Sequence, residues 1–154
     1  ATGIELSAKV APIKNLELSF NYTNQEVLKA GQVNATNTNG IGTAIPNIPS
    51  IFYNASVRYK FKSPFSKFDE IAVFSYYTYV SEFDLIFQVI KNEQNIIPTQ
   101  RQLDAGLTYN LTNQGISLSL QTNNILDADV FDNYRVPKPG RNFSFKIRYL
   151  FKRT

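Results

Sequence analysis

The stretch Pro139-Gly-Arg-Asn-Phe-Ser-Phe-Lys-Ile-Arg-Tyr-Leu-Phe151 alternates apolar and polar side chains over most of its length. Such alternation predicts a β-strand with one apolar face and one polar face. In a soluble sandwich the apolar face would meet a second sheet, whereas in an outer-membrane barrel it would meet lipid and the polar face would line the lumen. The apolar side chains of this strand are Phe143, Phe145, Ile147, Tyr149 and Phe151.

Earlier segments of strand-like composition bring the predicted total to about seven strands. Most of them alternate as the last strand does, but the segment 70–81 is apolar on both faces, so its orientation stays open. In the connection that follows it, residues 85–90 are a candidate for a further short strand. The predicted strands cover residues 3–11, 16–23, 51–61, 70–81, 102–111, 116–127 and 139–151.

The connections between the predicted strands alternate between short and long along most of the chain. Up-and-down outer-membrane barrels show this rhythm, with short periplasmic turns and long outer loops, whereas a Greek-key sandwich has no reason to show it. The rhythm therefore favours an antiparallel up-and-down transmembrane β-barrel, with the last strand descending and the C-terminus in the periplasm. The connections cover residues 12–15, 24–50, 62–68, about 82–98, 112–115 and 128–138.

The composition agrees with a membrane barrel, because aromatic residues are abundant and charged residues are scarce. The chain has 12 Phe, 9 Tyr and no Trp, with 18% charged residues, whereas about a quarter is usual in soluble domains. In a barrel the rings would form girdles at the two membrane interfaces. The net charge of +4 comes from cations spread along the chain, unlike the dense footprint of a nucleic-acid-binding protein.

The residues needed for several kinds of chemistry are missing from the sequence. There is no Cys and no His, which excludes disulfides, thiolate chemistry, a Ser–His relay and imidazole metal ligands. Paired carboxylates, a nucleophile with a base and a phosphate-binding loop are not apparent either. We therefore predict that the chain is not an enzyme and has no catalytic residues, cofactor or metal site.

About seven strands are too few for a closed barrel, because bacterial single-chain barrels have an even number of strands and at least eight. An unclosed sheet in lipid would leave unpaired backbone groups along both edges, at several kcal/mol each. We therefore expect a C-terminal piece of a larger barrel. Two alternatives stay open: a smaller outer-membrane barrel that has lost one strand, and a soluble all-β binding or adhesion module.

Sequence motifs near the C-terminus point to a family. Asn124-Ile-Leu-Asp127, then Tyr134, then Pro139-Gly-Arg141 and the terminal aromatic strand resemble the C-terminal signature of TonB-dependent outer-membrane receptors. Upstream, Gly3-Ile-Glu-Leu-Ser7 resembles the start of an earlier barrel strand in that family. The resemblance covers essentially the whole chain, and its C-terminal third is the most specific part. The motif residues are Asn124, Asp127, Tyr134, Pro139, Gly140 and Arg141.

The resemblance implies a 22-stranded barrel, of which residues 1–154 would form roughly the last seven strands. The plug domain and the N-terminal strands would lie outside this sequence. The implied function is uptake of a scarce, bulky ligand such as a ferric siderophore, haem or cobalamin. Energy would come from the TonB complex of the inner membrane, acting on N-terminal segments that are absent here. The other implied partners are outer-membrane lipid and the outer-membrane assembly machinery, which would read the terminal aromatic strand.

Charged side chains on or near the predicted polar face are candidates for contact with an anionic iron chelate. The alternative is that they pair with a plug domain or with water. Arg141, near the start of the last strand, is a candidate partner for Asp127 or Asp132 at the outer rim. The candidates for ligand contact, on the polar side or its rim, are Arg58, Lys60, Arg101 and Asp104.

Overall fold

The computed structural model describes residues 1–26, 45–86, 95–131 and 136–151. Within these residues the chain is built from β-strands joined by turns and irregular connections. The strands are β1 (Thr2–Val10), β2 (Leu16–Glu26), β3 (Ile51–Lys62), β4 (Glu70–Val80), β5 (Phe83–Asp84), β6 (Ile96–Ile97), β7 (Gln100–Leu111), β8 (Ile116–Asn123) and β9 (Asn142–Tyr149).

Seven of these strands form one sheet in the order β1-β2-β3-β4-β7-β8-β9. Every neighbouring pair is antiparallel, so the sheet is a simple up-and-down meander. Strands β5 and β6 pair separately, within the connection between β4 and β7. The sheet is not closed, and β1 and β9 form its edges. The predicted all-β, up-and-down arrangement of about seven long strands is confirmed.

Some predicted boundaries are wrong. Strand β8 ends at Asn123 rather than at residue 127, because Asn124 has a positive φ of 52°, which a β-strand does not accommodate. Strand β9 covers Asn142–Tyr149 rather than residues 139–151. A short strand is present at Phe83–Asp84, just before the candidate 85–90. Leu85 and Ile86 are not part of a strand, and residues 87–90 lie outside the described part of the chain.

The register divides the sheet into an apolar face and a polar face, because residues directly opposite each other on neighbouring strands share a face. It also settles the orientation of β4, which the sequence left open. Val73 lies opposite Tyr59 on the apolar face, and Phe74 lies opposite Arg58 on the polar face. One row across the apolar face is Leu16, Tyr59, Val73, Leu107, Leu120 and Phe145. The neighbouring row on the polar face is Glu17, Arg58, Phe74, Gly106, Gln121 and Ser144.

The apolar face has no second layer packed on it in the described residues, and many of its large side chains are exposed. A soluble sandwich would cover such a face with another sheet. The few buried apolar residues do not form such a layer. No helix in the described ranges is long and apolar enough to cross a membrane. The buried apolar residues are Ile71, Ala72, Ile97 and Val130.

Aromatic rings on the apolar face form two clusters. Near the ends of the strands that lead into the long connections, Tyr53 stacks on Tyr79, with ring centroids 4.7 Å apart. Near the opposite ends, Tyr59 stacks on Phe61 at 5.9 Å. Tyr53 and Phe61 are about 26 Å apart along β3, which strand tilt reduces to about 20 Å across the membrane. The spacing is close to that of two aromatic girdles around an apolar band.

The three short turns, residues 11–15, 63–69 and 112–115, lie at one end of the sheet, called here the short-turn end. A buried polar cluster joins two of them. Asp69, which is 5% exposed, accepts hydrogen bonds from the Tyr109 hydroxyl at 3.1 Å and from the Thr112 N–H at 3.2 Å. The Ser63 hydroxyl lies 3.0 Å from the Tyr109 hydroxyl. The cluster fixes the position of one hairpin turn relative to the next.

Candidate functional site in the polar face and its loops

The end of the sheet opposite the short turns, called here the long-connection end, contains the family motif. Asn124 is almost fully buried, at 2% exposure. Its side-chain amide donates to the Ala128 carbonyl at 2.8 Å, and its side-chain oxygen accepts from the Ala128 N–H at 3.0 Å. The Asp127 N–H donates to the Asn124 carbonyl at 2.9 Å. Asn is one of the few residues that tolerate positive φ, so this side chain both permits the turn and closes it.

Asp127 connects this turn to the start of β9. Its carboxylate oxygen Oδ1 accepts a hydrogen bond from the Arg141 main-chain N–H at 2.8 Å. A Cβ atom on Gly140 would lie 2.9 Å from the same oxygen, so glycine at this position leaves room for the carboxylate. The predicted association of Arg141 with Asp127 therefore involves the main-chain N–H of Arg141. Asp132 lies outside the described residues.

The structure places the other motif and terminal-strand residues as follows. Pro139 is exposed, just before Gly140, and Tyr134 lies outside the described residues. Phe143, Phe145 and Ile147 lie opposite Thr122, Leu120 and Leu118, on the apolar face. Tyr149 continues this row, and its ring contacts the ring of Phe151 edge-on, with centroids 4.5 Å apart.

Asp104 anchors the turn from Asn124 to Ala128, called here the motif turn, to the sheet. One carboxylate oxygen accepts the Asn124 N–H at 2.8 Å, and both oxygens accept from the Gln102 side-chain amide, at 2.9 and 3.2 Å. Asp104 lies opposite Tyr76 on the polar face, as the alternation predicts. Sequence reasoning did not find the link from Asp104 to Asn124, because it joins two strands and depends on register.

A cavity of about 220 Å³ opens at the long-connection end of the polar face. The loop after β8 folds over it, and the Phe131 N–H donates to the Gln100 side-chain oxygen at 2.8 Å. Another loop supplies Asn47, whose Oδ1 atom is buried without a hydrogen-bond partner in the structure. The lining is partly aromatic and partly amide or hydroxyl, which suits a ligand with both apolar surface and acceptor groups. The lining includes Thr78, Gln100, Gln102, Phe83, Phe131 and Lys138.

Cationic side chains lie nearer the short-turn end of the polar face. Arg58 lies opposite Glu17, and the Lys60 ammonium is 3.8 Å from a Glu17 carboxylate oxygen. Lys9 reaches the other oxygen of Glu17, also at 3.8 Å. Arg58 and Lys60 therefore face the predicted lumen, though a shared carboxylate partly neutralises this group.

Arg101 is at the rim of the sheet but on the apolar face, not on the polar face. It lies opposite Tyr79, and its guanidinium carbon is 6.0 Å from the centre of that ring. The reason is the strict alternation along β7, which places Arg101 on the same side as Leu103 and Leu107. Arg101 is thus separated from Arg58, Lys60 and Asp104, and the four candidates do not form one site.

This combination of a meander sheet, an apolar outer face and a polar inner face defines part of the wall of an outer-membrane β-barrel. Residues 1–125 match the family described as TonB dependent receptor-like, beta-barrel. The chain therefore belongs to the TonB-dependent receptor family, whose members lie in the outer membrane. No curated protein matches it.

Two solved structures share the fold. The chain is similar to a variant of the ferric enterobactin receptor PfeA of Pseudomonas aeruginosa, with 15% sequence identity and a TM-score of 0.64. It is also similar to BauA, the ferric preacinetobactin receptor of Acinetobacter baumannii, with 15% identity and a TM-score of 0.68. Each match covers 94% of this chain and 21% of the other. The chain thus spans about a fifth of the length of these receptors.

Proposed function

We propose that this chain is the C-terminal part of the barrel of a receptor that imports a ferric siderophore with energy from the TonB complex. The observation that carries the proposal is the two-faced meander, whose polar face leads from a cavity at one end to cations at the other. Family membership and the two ferric-siderophore receptors of similar fold support it. In the proposed whole protein, other strands complete a 22-stranded barrel and a plug domain occupies the lumen.

The proposed orientation places the long connections outside the cell and the short turns and C-terminus in the periplasm. Its support is the difference in connection length, because outer-membrane barrels have short periplasmic turns and long outer loops. The chain itself has no Cys, so cysteines introduced singly into a complete receptor that has no other accessible Cys report on this directly. In intact cells, a membrane-impermeant maleimide should label Lys138→Cys and leave Lys14→Cys unlabelled. The opposite labelling would reverse the proposed orientation.

The proposed ligand path begins in the cavity beside Gln100 and Gln102. Arg58 and Lys60, further along the polar face, raise the local concentration of an anionic chelate by long-range attraction. Asp104 bears the opposite charge, and its hydrogen bonds hold the loop that forms the cavity. Its proposed contribution to ligand binding is therefore to position the loop.

The test is uptake of radiolabelled ferric siderophores by cells that express the complete receptor as their only ferric-siderophore receptor. Uptake should be lost in cells without TonB. The pair Arg58→Gln and Lys60→Gln should lower the initial rate at sub-saturating chelate by about tenfold, and less so in high salt. The pair Lys14→Gln and Lys67→Gln, in turns away from the path, removes the same charge and is the matched control. Uptake of haem or cobalamin, with no ferric siderophore transported, would refute the proposed ligand class.

A further inference from the structure

Two of the short turns expose apolar side chains beside a lysine. In the turn 11–15, Ile13 is 59% exposed and precedes Lys14. In the turn 63–69, Phe65 and Phe68 are 85% and 64% exposed and flank Lys67. We call these five residues the short-turn rim. Nothing in the described residues covers these apolar side chains, and the proposed transport function does not use them.

The rim continues the apolar face rather than interrupting it. Tyr59 and Phe61, the ring pair near this end of β3, come just before the turn that carries Phe65. Large exposed apolar side chains are unfavourable in water but favourable at a membrane interface, where aromatic residues and lysine are typical anchors. The position of the rim is therefore that of a lipid interface.

The charge of the rim selects among lipids. The three short turns contain a single acidic residue, Asp69, and its carboxylate is buried and bound to Tyr109 and Thr112. The exposed charge of these turns therefore comes from Lys14 and Lys67 and is positive. Cations beside a membrane surface attract anionic lipid headgroups, at about 1 kcal/mol per residue.

We propose that the short-turn rim binds anionic phospholipid in the leaflet that surrounds this end of the barrel. Ile13, Phe65 and Phe68 lie at the boundary between headgroups and acyl chains, and the ammonium groups of Lys14 and Lys67 contact lipid phosphates. The inference needs the outer-membrane barrel, which the family establishes, but it does not depend on the transported ligand.

The test uses the complete receptor in nanodiscs of phosphatidylcholine and phosphatidylglycerol, with bound lipids counted by native mass spectrometry. The wild-type protein should retain phosphatidylglycerol in preference. The pair Lys14→Gln and Lys67→Gln should lower that preference by about fivefold per lysine, or about 30-fold together. The pair Lys146→Gln and Arg148→Gln, with side chains on the polar face opposite Ser119 and Ser117, removes the same charge and should keep the preference.

The apolar half of the proposal has its own variants. Phe65→Ser with Phe68→Ser should reduce retention of both lipids, while circular dichroism confirms that the sheet is intact. Equal retention of the two lipids by the wild-type protein would overturn the proposal. So would an unchanged preference in the Lys14 and Lys67 variant. Uptake measurements report separately on transport, so failure of one proposal is distinguishable from failure of the other.

Discussion

Asn124 provides the sharpest test of how the motif turn is held. In Asn124→Ala, the two hydrogen bonds with Ala128 are lost, at about 1 kcal/mol each. Alanine would also have to adopt the positive φ of 52°, at a further cost of about 1–2 kcal/mol. We expect the free energy of unfolding to fall by about 3–4 kcal/mol in the complete receptor. The measurement is equilibrium unfolding in urea in the presence of lipid vesicles.

Two further variants separate the side-chain contribution from the backbone contribution. Asn124→Gly loses the hydrogen bonds but tolerates positive φ, so it should be destabilised by about 2 kcal/mol. Asn124→Asp still accepts the Ala128 N–H but cannot donate to the Ala128 carbonyl, which should cost about 1–2 kcal/mol. Hydrogen exchange at the Ala128 amide should rise in the Ala and Gly variants, which lose its acceptor, but not in Asn124→Asp, which keeps it. Equal stability of the Ala and Gly variants would show that positive φ at residue 124 costs alanine nothing. An Ala variant within about 0.5 kcal/mol of the wild-type protein, the range of neutral surface changes, would refute both the hydrogen-bond and the backbone contributions.

Other predictions concern the apolar face and the buried turn cluster. Phe145→Lys should destabilise the inserted barrel by about 2–4 kcal/mol, whereas Ser144→Lys, on the polar face, should cost less than about 1 kcal/mol. Folding titrations into lipid vesicles measure both, and equal effects would contradict the assignment of faces. Asp69→Ala should cost about 2–4 kcal/mol, because the Tyr109 hydroxyl and the Thr112 N–H lose their shared acceptor. Tyr109→Phe, which leaves the Thr112 N–H bound to Asp69, should cost only about 1 kcal/mol in urea unfolding. If Asp69→Ala were as stable as Tyr109→Phe, the hydrogen bond from Thr112 would contribute little.

Much of the fold could be predicted from the sequence because lipid demands a strict pattern. The side chains of β9 alternate without exception from Asn142 to Tyr149, so the sequence predicts which side chains form its apolar face and which form its polar face. The faces of strand β4 could not be assigned from the sequence, since Phe74 and Tyr76 are as apolar as typical lipid-facing residues. Their position on the polar face follows from pairing with Arg58 and Ser56, and such pairing is not encoded locally.

The candidate site was less predictable, because it depends on contacts between distant residues. The motif residues Asn124, Asp127 and Gly140 could be found as a pattern, but their shared turn depends on positive φ values at both Asn124 and Asp127. The contact of Asp104 with the Asn124 N–H joins residues on opposite sides of a hairpin. Arg101 was expected at the polar side or its rim, because the predicted strand began at residue 102. Strand β7 begins at Gln100, and both its alternation and the pairing with Tyr79 assign Arg101 to the apolar face.

The hydrogen bond from the Arg141 N–H to Asp127 has a consequence for how β9 aligns with β8. Shifting β9 by two residues would keep every apolar side chain on the same face, so the alternation alone does not forbid it. The bond to Asp127 would be broken by that shift, and the turn that holds Asp127 is itself tied to β7 through Asp104. Contacts among β7, β8 and β9 therefore fix the register of β9, which is an edge strand of the sheet. A further strand that pairs with this edge would take its own register from β9.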